Sequence, residues 1–167
     1  LDYARDMFLF SFYTRGMSFV DMAYLKKSDL KNGILTYRRR KTGQQLTIKW
    51  EKCMEEIVTK YEDRSATQYL LPIITSPFAD ERVQYRNALY RVNTALKEVA
   101  RLVNISIPLT MYCARHGWAN IAKSKNIPLS VISEGMGHDS EETTRIYLAS
   151  LDTSVVDRAN SLILKDL

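Results

Sequence analysis

Two short segments hold most of the side chains that could do chemistry: Thr110-Met111-Tyr112-Cys113-Ala114-Arg115-His116, and Gly137-His138-Asp139-Ser140-Glu141-Glu142-Thr143-Thr144-Arg145-Ile146-Tyr147. Both histidines of the chain fall in them. An arginine fork grips two oxygens of an anion at once, where a lysine acts as a point charge. A phenol, with an ordinary pKa of about 10, becomes a nucleophile only beside positive charge or a base. Positive charge is concentrated between residues 26 and 41, where Lys26, Lys27, Lys31, Arg38, Arg39, Arg40 and Lys41 face the single acid Asp29. That local excess is six, against a net charge of +5 for all 167 residues. Such a surface attracts phosphate backbones, releases counterions and makes binding salt-dependent. Other chemistries drop out. Two histidines and two scattered cysteines, Cys53 and Cys113, make neither a zinc site of usual spacing nor a disulfide framework. No P-loop, G-x-G-x-x-G or G-x-S-x-G motif is present, so neither metal nor nucleotide cofactor is expected.

The elements that must position these residues follow from periodicity. With 46% hydrophobic and 26% charged residues the chain is too apolar for disorder, and its apolar runs are too short to span a bilayer. A soluble, intracellular domain is expected, and its unpaired cysteines suit a reducing compartment. Residues 2–13 read as a buried helix, and Ser18-Phe19-Val20-Asp21 as a capping box opening a helix over 19–27. Strands are expected near 28–31, 33–39 and 45–49, divided by Asn32-Gly33 and Thr42-Gly43, with Lys41 at a turn. Cys53, Met54, Ile57, Val58 and Tyr61 mark a helix, and residues 64–79 a loop with an extended piece at 69–74. A long helix over 80–103 buries Leu89, Val92, Leu96, Val99 and Val103 and solvates Arg82, Arg86, Arg91, Lys97 and Arg101. Further helices are expected over 110–125, from Pro128 to Gly135, from Ser140, and over 154–164. The fold class is α+β, mainly α-helical with a small three-stranded antiparallel sheet.

With these elements in place, the chain resembles the catalytic domain of the tyrosine recombinase (phage integrase) family. That family carries a Y/H-x-x-R-H helix followed by G-H-x-S-x-x-T-T-x-x-Y, matched by Tyr112 to His116 and by Gly137 to Tyr147. In detail it looks like the integrases of conjugative elements. The resemblance covers essentially the whole chain and implies a site-specific enzyme that cuts and rejoins DNA through a 3′-phosphotyrosyl intermediate. By resemblance Tyr147 is the nucleophile, Arg115 stabilises charge growing on the phosphate, Lys41 protonates the leaving 5′-oxygen, and His138 hydrogen-bonds the phosphate. Lys26, Lys27 and Arg38 to Lys41 would meet the DNA backbone. His116 lies about 100° round the helix from Arg115, so a buried structural hydrogen bond is expected there.

Two positions depart from the family pattern. Tyr112 stands where many members have histidine; three residues before Arg115, it shares a face with it and its hydroxyl can still reach a phosphate. Aligning G-x-R-x-x-[DE] on Gly16 to Asp21 puts Ser18 in the first-arginine slot. Arg15 is then the expected first arginine, with Arg38 to Arg40 as substitutes. The resemblance further implies double-stranded DNA as partner, a tetramer on DNA, a bacterial cytoplasmic, nucleoid-associated setting, and no membrane, cofactor or small-molecule substrate. The chain starts at Leu1 in mid-helix, so residues 1–167 are expected to be a catalytic domain whose N-terminal DNA-binding part lies elsewhere. An inactive DNA-binding module of the same fold and a helical protein-interaction domain remain as alternatives.

Overall fold

The computed structural model describes residues 1–64, 66–148, 160, 161, 163 and 164. In chain order the elements are α1 (Asp2–Tyr13), α2 (Phe19–Ala23), β1 (Leu30–Lys31), β2 (Ile34–Arg38), β3 (Gln45–Lys49), α3 (Lys52–Lys60), α4 (Glu81–Leu102), α5 (Met111–Ser124), α6 (Leu129–Met136) and α7 (Glu141–Tyr147). The fold is mainly helical with one antiparallel sheet in the order β1-β2-β3, as expected.

Helix α1 is the hub of the main core. It packs against α3, α4 and α5, and its Met7 and Phe10 are wholly buried. Burying each such side chain contributes roughly 1.5–3 kcal/mol. Asp6, 4% exposed, is satisfied by Lys60 Nζ at 2.6 Å and the Tyr61 hydroxyl at 2.8 Å, which ties α1 to the end of α3. In the sheet, Leu35 pairs with Ile48 and Tyr37 with Leu46. All four are buried, so the two-residue period turns one face into the core. Asn32 and Gly33 both adopt positive φ in the β1–β2 turn, the conformation that Asn-Gly predicts.

Helix α2 ends at Ala23, four residues earlier than its sequence pattern predicts. The reason is a competing pairing: the Leu25 carbonyl accepts the Leu70 amide at 2.7 Å, and the Lys27 amide donates to the Gln68 carbonyl at 2.9 Å. Over 69–74 the chain makes a single bridge, Lys26 to Tyr69, and then a loop whose Leu70, Leu71, Ile73 and Ile74 are buried, in place of the expected extended piece. Asp80 caps α4 through the Val83 amide at 2.8 Å. Its buried stripe is Ala88, Val92, Leu96 and Ala100, and the five expected basic residues are exposed. Val103, assigned to that stripe, is 58% exposed because the helix has ended at Leu102.

A second, smaller core lies between α5 and α6, built from Ala119, Ala122, Ile132 and Met136 with Trp118 and Leu148 packed beside it. Gly137 ends α6 in the left-handed conformation, φ 65°, which only glycine adopts without strain. The helix expected over 154–164 falls largely outside the described residues.

Candidate active site

The seam between the two cores is polar, and Arg115 is its centre. The side chain is 5% exposed; Nη1 donates to the Gly16 carbonyl at 2.9 Å and Nη2 to the Met136 carbonyl at 2.8 Å. One bond reaches the turn after α1 and the other the end of α6, so the guanidinium joins both layers. Its place at the α6 C-terminus is favourable, because unpaired carbonyls give a helix a negative end. Gly16 is required here: φ is +72°, and a Cβ on it would stand 2.6 Å from the Arg115 Cα.

The turn after Gly137 delivers His138. Its Nδ1 is 2.7 Å from the hydroxyl of Thr144, which is wholly buried on α7. Ser140, not His138, caps α7, through the Thr143 amide at 3.3 Å. At the other end of α7, Lys123 Nζ on α5 donates to the Leu148 carbonyl at 2.8 Å. The last turn, which carries Tyr147, is thus fixed from both sides. Burial, and after it the charges of Arg115, Arg39 and Lys41, push the His138 pKa down from the usual 6.5 to about 4. The imidazole is therefore neutral at neutral pH. Folding then disfavours its protonation, so stability falls as pH drops from about 6.5 towards 4. His138→Gln, which cannot titrate, is expected to lose less stability than the parent over that interval, read as the unfolding midpoint at each pH.

The β2–β3 tip brings the third group. Lys41 is exposed at the turn, and its charge, with those of Arg115 and Arg39, reaches His138. Arg38 and Arg40 are exposed as expected: Arg38 Nη1 bonds the Gly43 carbonyl at 2.9 Å, and the Arg40 guanidinium lies over the Tyr24 ring at 3.9 Å. Lys26 and Lys27 are exposed beside the sheet. Arg39 parts from these neighbours. It is 7% exposed, unlike its solvated neighbours, because the alternation of β2, continued one residue past Arg38, turns it inward with Tyr37. Its Nη1 donates to the Gly137 carbonyl at 2.5 Å, and its Nε lies 3.9 Å from the Asp21 carboxylate. Asp21 also accepts the Ser18 hydroxyl at 2.7 Å and the Arg40 amide at 2.8 Å, and so anchors the tip.

Arg15 is half-buried at φ 63°, a left-handed conformation that costs a residue with a Cβ roughly 1–3 kcal/mol. Its stem runs along α6: a Cβ on Gly135 would lie 3.7 Å from the Arg15 Cδ. Tyr37 marks where the arginines converge. Burial and then Asp21 push its phenol up, while Arg39, Arg115 and Arg15 act in the opposite sense. Ser18, Tyr112 and Arg115 line a cleft of about 330 Å³ with Phe19, Tyr85 and Leu89. Tyr112 is 57% exposed at its rim, and the His116 ring meets it edge-on at 4.5 Å. His116 is half-buried, with its ring packed against that of Tyr112. Among the described residues no His, Cys, Asp and Glu group of three or more could hold a metal ion, and no helix is long and apolar enough to cross a membrane.

A helical domain with this small sheet, bringing cationic groups from a hairpin tip and from α5 to the end of α6, has the fold of tyrosine recombinase catalytic domains. XerH site-specific recombinase bound to palindromic difH substrate in a post-cleavage complex superposes with a TM-score of 0.65 at 18% identity, over 95% of this chain and 45% of that one. XerA recombinase gives 0.62 at 17% identity, over 96% and 62%. The Tn1549 transposon integrase in complex with transposon right end DNA gives 0.61 at 15%, over 96% and 58%. The phage integrase family model matches residues 3–154, and the chain belongs to that family. Among its relatives, a probable integrase/recombinase protein of Methanocaldococcus jannaschii is 29% identical over 143 residues, covering 82% of this chain and 41% of the relative. Tyrosine recombinase XerA of Pyrococcus furiosus is 27% identical over 155 residues, covering 90% and 52%. The chain therefore spans about half the length of these relatives.

Proposed function

We propose that this chain is the catalytic domain of a site-specific DNA recombinase or integrase working by transesterification. The observation that carries the reading is that Arg115 from α5 and Arg39 from the hairpin bond the Met136 and Gly137 carbonyls that directly precede His138, with Lys41 two residues beyond Arg39 at the hairpin tip. Helix α7, which bears Tyr147, is pinned on both sides of that point. The Tyr147 phenolic oxygen forms a bond to phosphorus as the bond from phosphorus to the 5′-oxygen breaks. Lys41 gives a proton to that oxygen, and the proton the phenol loses restores the balance. Arg115 offsets charge growing on the phosphate, an effect worth about 10²- to 10³-fold in rate for a single donor. His138, neutral at neutral pH, donates a hydrogen bond to the same phosphate. The exposed Lys26, Lys27, Arg38 and Arg40 hold the flanking backbone, and other parts of the full protein complete a clamp and a tetramer on double-stranded DNA.

The test is a nicked suicide duplex pool with a randomised core, incubated with the full-length protein in EDTA and resolved on a denaturing gel. A covalent protein–DNA band, linked through a 3′-phosphate, is the expected result. A shifted band on a native gel without the covalent species would instead mark an inactive DNA-binding module, and neither band would leave a protein-interaction domain.

A further inference from the structure

The slot that the family pattern gives to a first arginine holds Ser18, and the sequence offers Arg15 as its replacement, with Arg38 to Arg40 as substitutes. The geometry points to one of the substitutes: we propose that Arg39, reaching in from the hairpin, supplies the second guanidinium charge to the scissile phosphate. This rests on the recombinase reading above.

Four observations carry it. First, Arg39 and Arg115 bond successive carbonyls, Gly137 and Met136, at the end of α6, which brings two guanidinium groups to one helix terminus. Second, both act on His138, the residue that follows those carbonyls. Third, Arg39 and Arg115 are both at least nine-tenths buried. Two guanidinium groups drawn together out of water favour an anion between them, and a phosphodiester carries one negative charge. Fourth, Arg39 Nε is buried without a hydrogen-bond partner, with the Asp21 carboxylate 3.9 Å away. A buried donor left unpaired lowers stability, and such groups call for a functional explanation. Packing requires Arg39 here as well: a Cβ on Gly137 would stand 2.9 Å from its Cδ, so the left-handed glycine leaves room for the arginine stem. In this low-dielectric seam the charge acts on the phosphate more strongly than it would in water.

The experiment uses the full-length protein and the duplex recovered from the covalent band, resynthesised with either a normal phosphate or an uncharged methylphosphonate at the cleavage point. Single-turnover cleavage by Arg39→Met on the phosphate is expected to fall about 10²-fold. On the methylphosphonate, where no charge needs offsetting, the deficit relative to the parent is expected to shrink to less than about tenfold. Arg39→Lys keeps the charge but not the fork, and is expected to stay within about tenfold of the parent on the phosphate. Ser18→Arg placed in the Arg39→Met background refills the family slot beside the cleft and is expected to recover cleavage. An equal deficit on both substrates, or no deficit, overturns the inference. If Arg39→Met fails to fold, Arg39→Lys decides alone: a 10²-fold loss without relief on the methylphosphonate overturns it. Absence of a covalent band from the parent itself would sink the recombinase reading instead, so the two failures are distinct.

Discussion

Tyr147→Phe is expected to abolish the covalent protein–DNA band while leaving duplex binding within about twofold of the parent. The substitution removes one oxygen and nothing else, and that oxygen is the atom proposed to bond phosphorus. The loss should be complete, because the anchors of α7 lie elsewhere. Ser140 caps its start, Thr144 meets His138, and Lys123 holds the Leu148 carbonyl. None of these contacts involves the phenol, so the variant should still assemble the site and still grip DNA through the exposed cations of the hairpin. Tyr112→Phe is the contrasting case. It removes a hydroxyl from the rim of the cleft, and the covalent band should persist, weakened. A band that survives Tyr147→Phe and vanishes in Tyr112→Phe would reassign the nucleophile. Denaturing gels of both variants, beside native gels for binding, make the measurement.

The second large effect is expected from a single methyl group. Gly16→Ala combines a left-handed φ of +72° with a Cβ only 2.6 Å from the Arg115 Cα and 2.9 Å from its Cγ. The conformational strain costs about 1–3 kcal/mol and forcing apart a packed backbone about as much again. The unfolding midpoint of a chain this size should fall by about 5–15 °C. Cleavage should fall further than stability alone explains, because the Gly16 carbonyl is one of the two groups that aim Arg115. Gly43→Ala provides the control. It has a nearly identical φ of +73° but nothing within 4 Å, so only the conformational cost of about 1–2 kcal/mol applies. If calorimetry found the two variants equally stable, the clash between the α1–α2 turn and α5 would be refuted.

Much of this arrangement is legible in the sequence, and the parts that are not have definite physical reasons. The helices announce themselves through caps and stripes: Ser18, Asp80 and Ser140 each hold the amide three residues on, as their positions predict. Asn32-Gly33 sets the first hairpin turn, and the motif spacings lead to Arg115 and His138. What escapes is long-range pairing. No local pattern reveals that residues 25–27 would pair with residues 68–70 and cut α2 short, because that choice is made by a partner some forty positions away. Lys123 reads as an ordinary basic residue in a last helical turn, yet it fastens α7. Arg39 is hidden by composition: in a run of four cations each looks equally solvated. The strand alternation of buried Tyr37, exposed Arg38, buried Arg39 and exposed Arg40 does carry the signal. Reading the charge run with a period of two would have found it.

The seam between the two cores has one more consequence. Arg39 on the hairpin and Arg115 on α5 hold the small α6–α7 layer to the rest by the last carbonyls of α6, and the same guanidinium groups are the ones proposed to meet DNA. Fastening and function are therefore one joint. A local lifting of that layer, far short of global melting, would unhook both cations in a single movement and leave the protein disarmed but otherwise intact, ready to rearm when the leaf settles back.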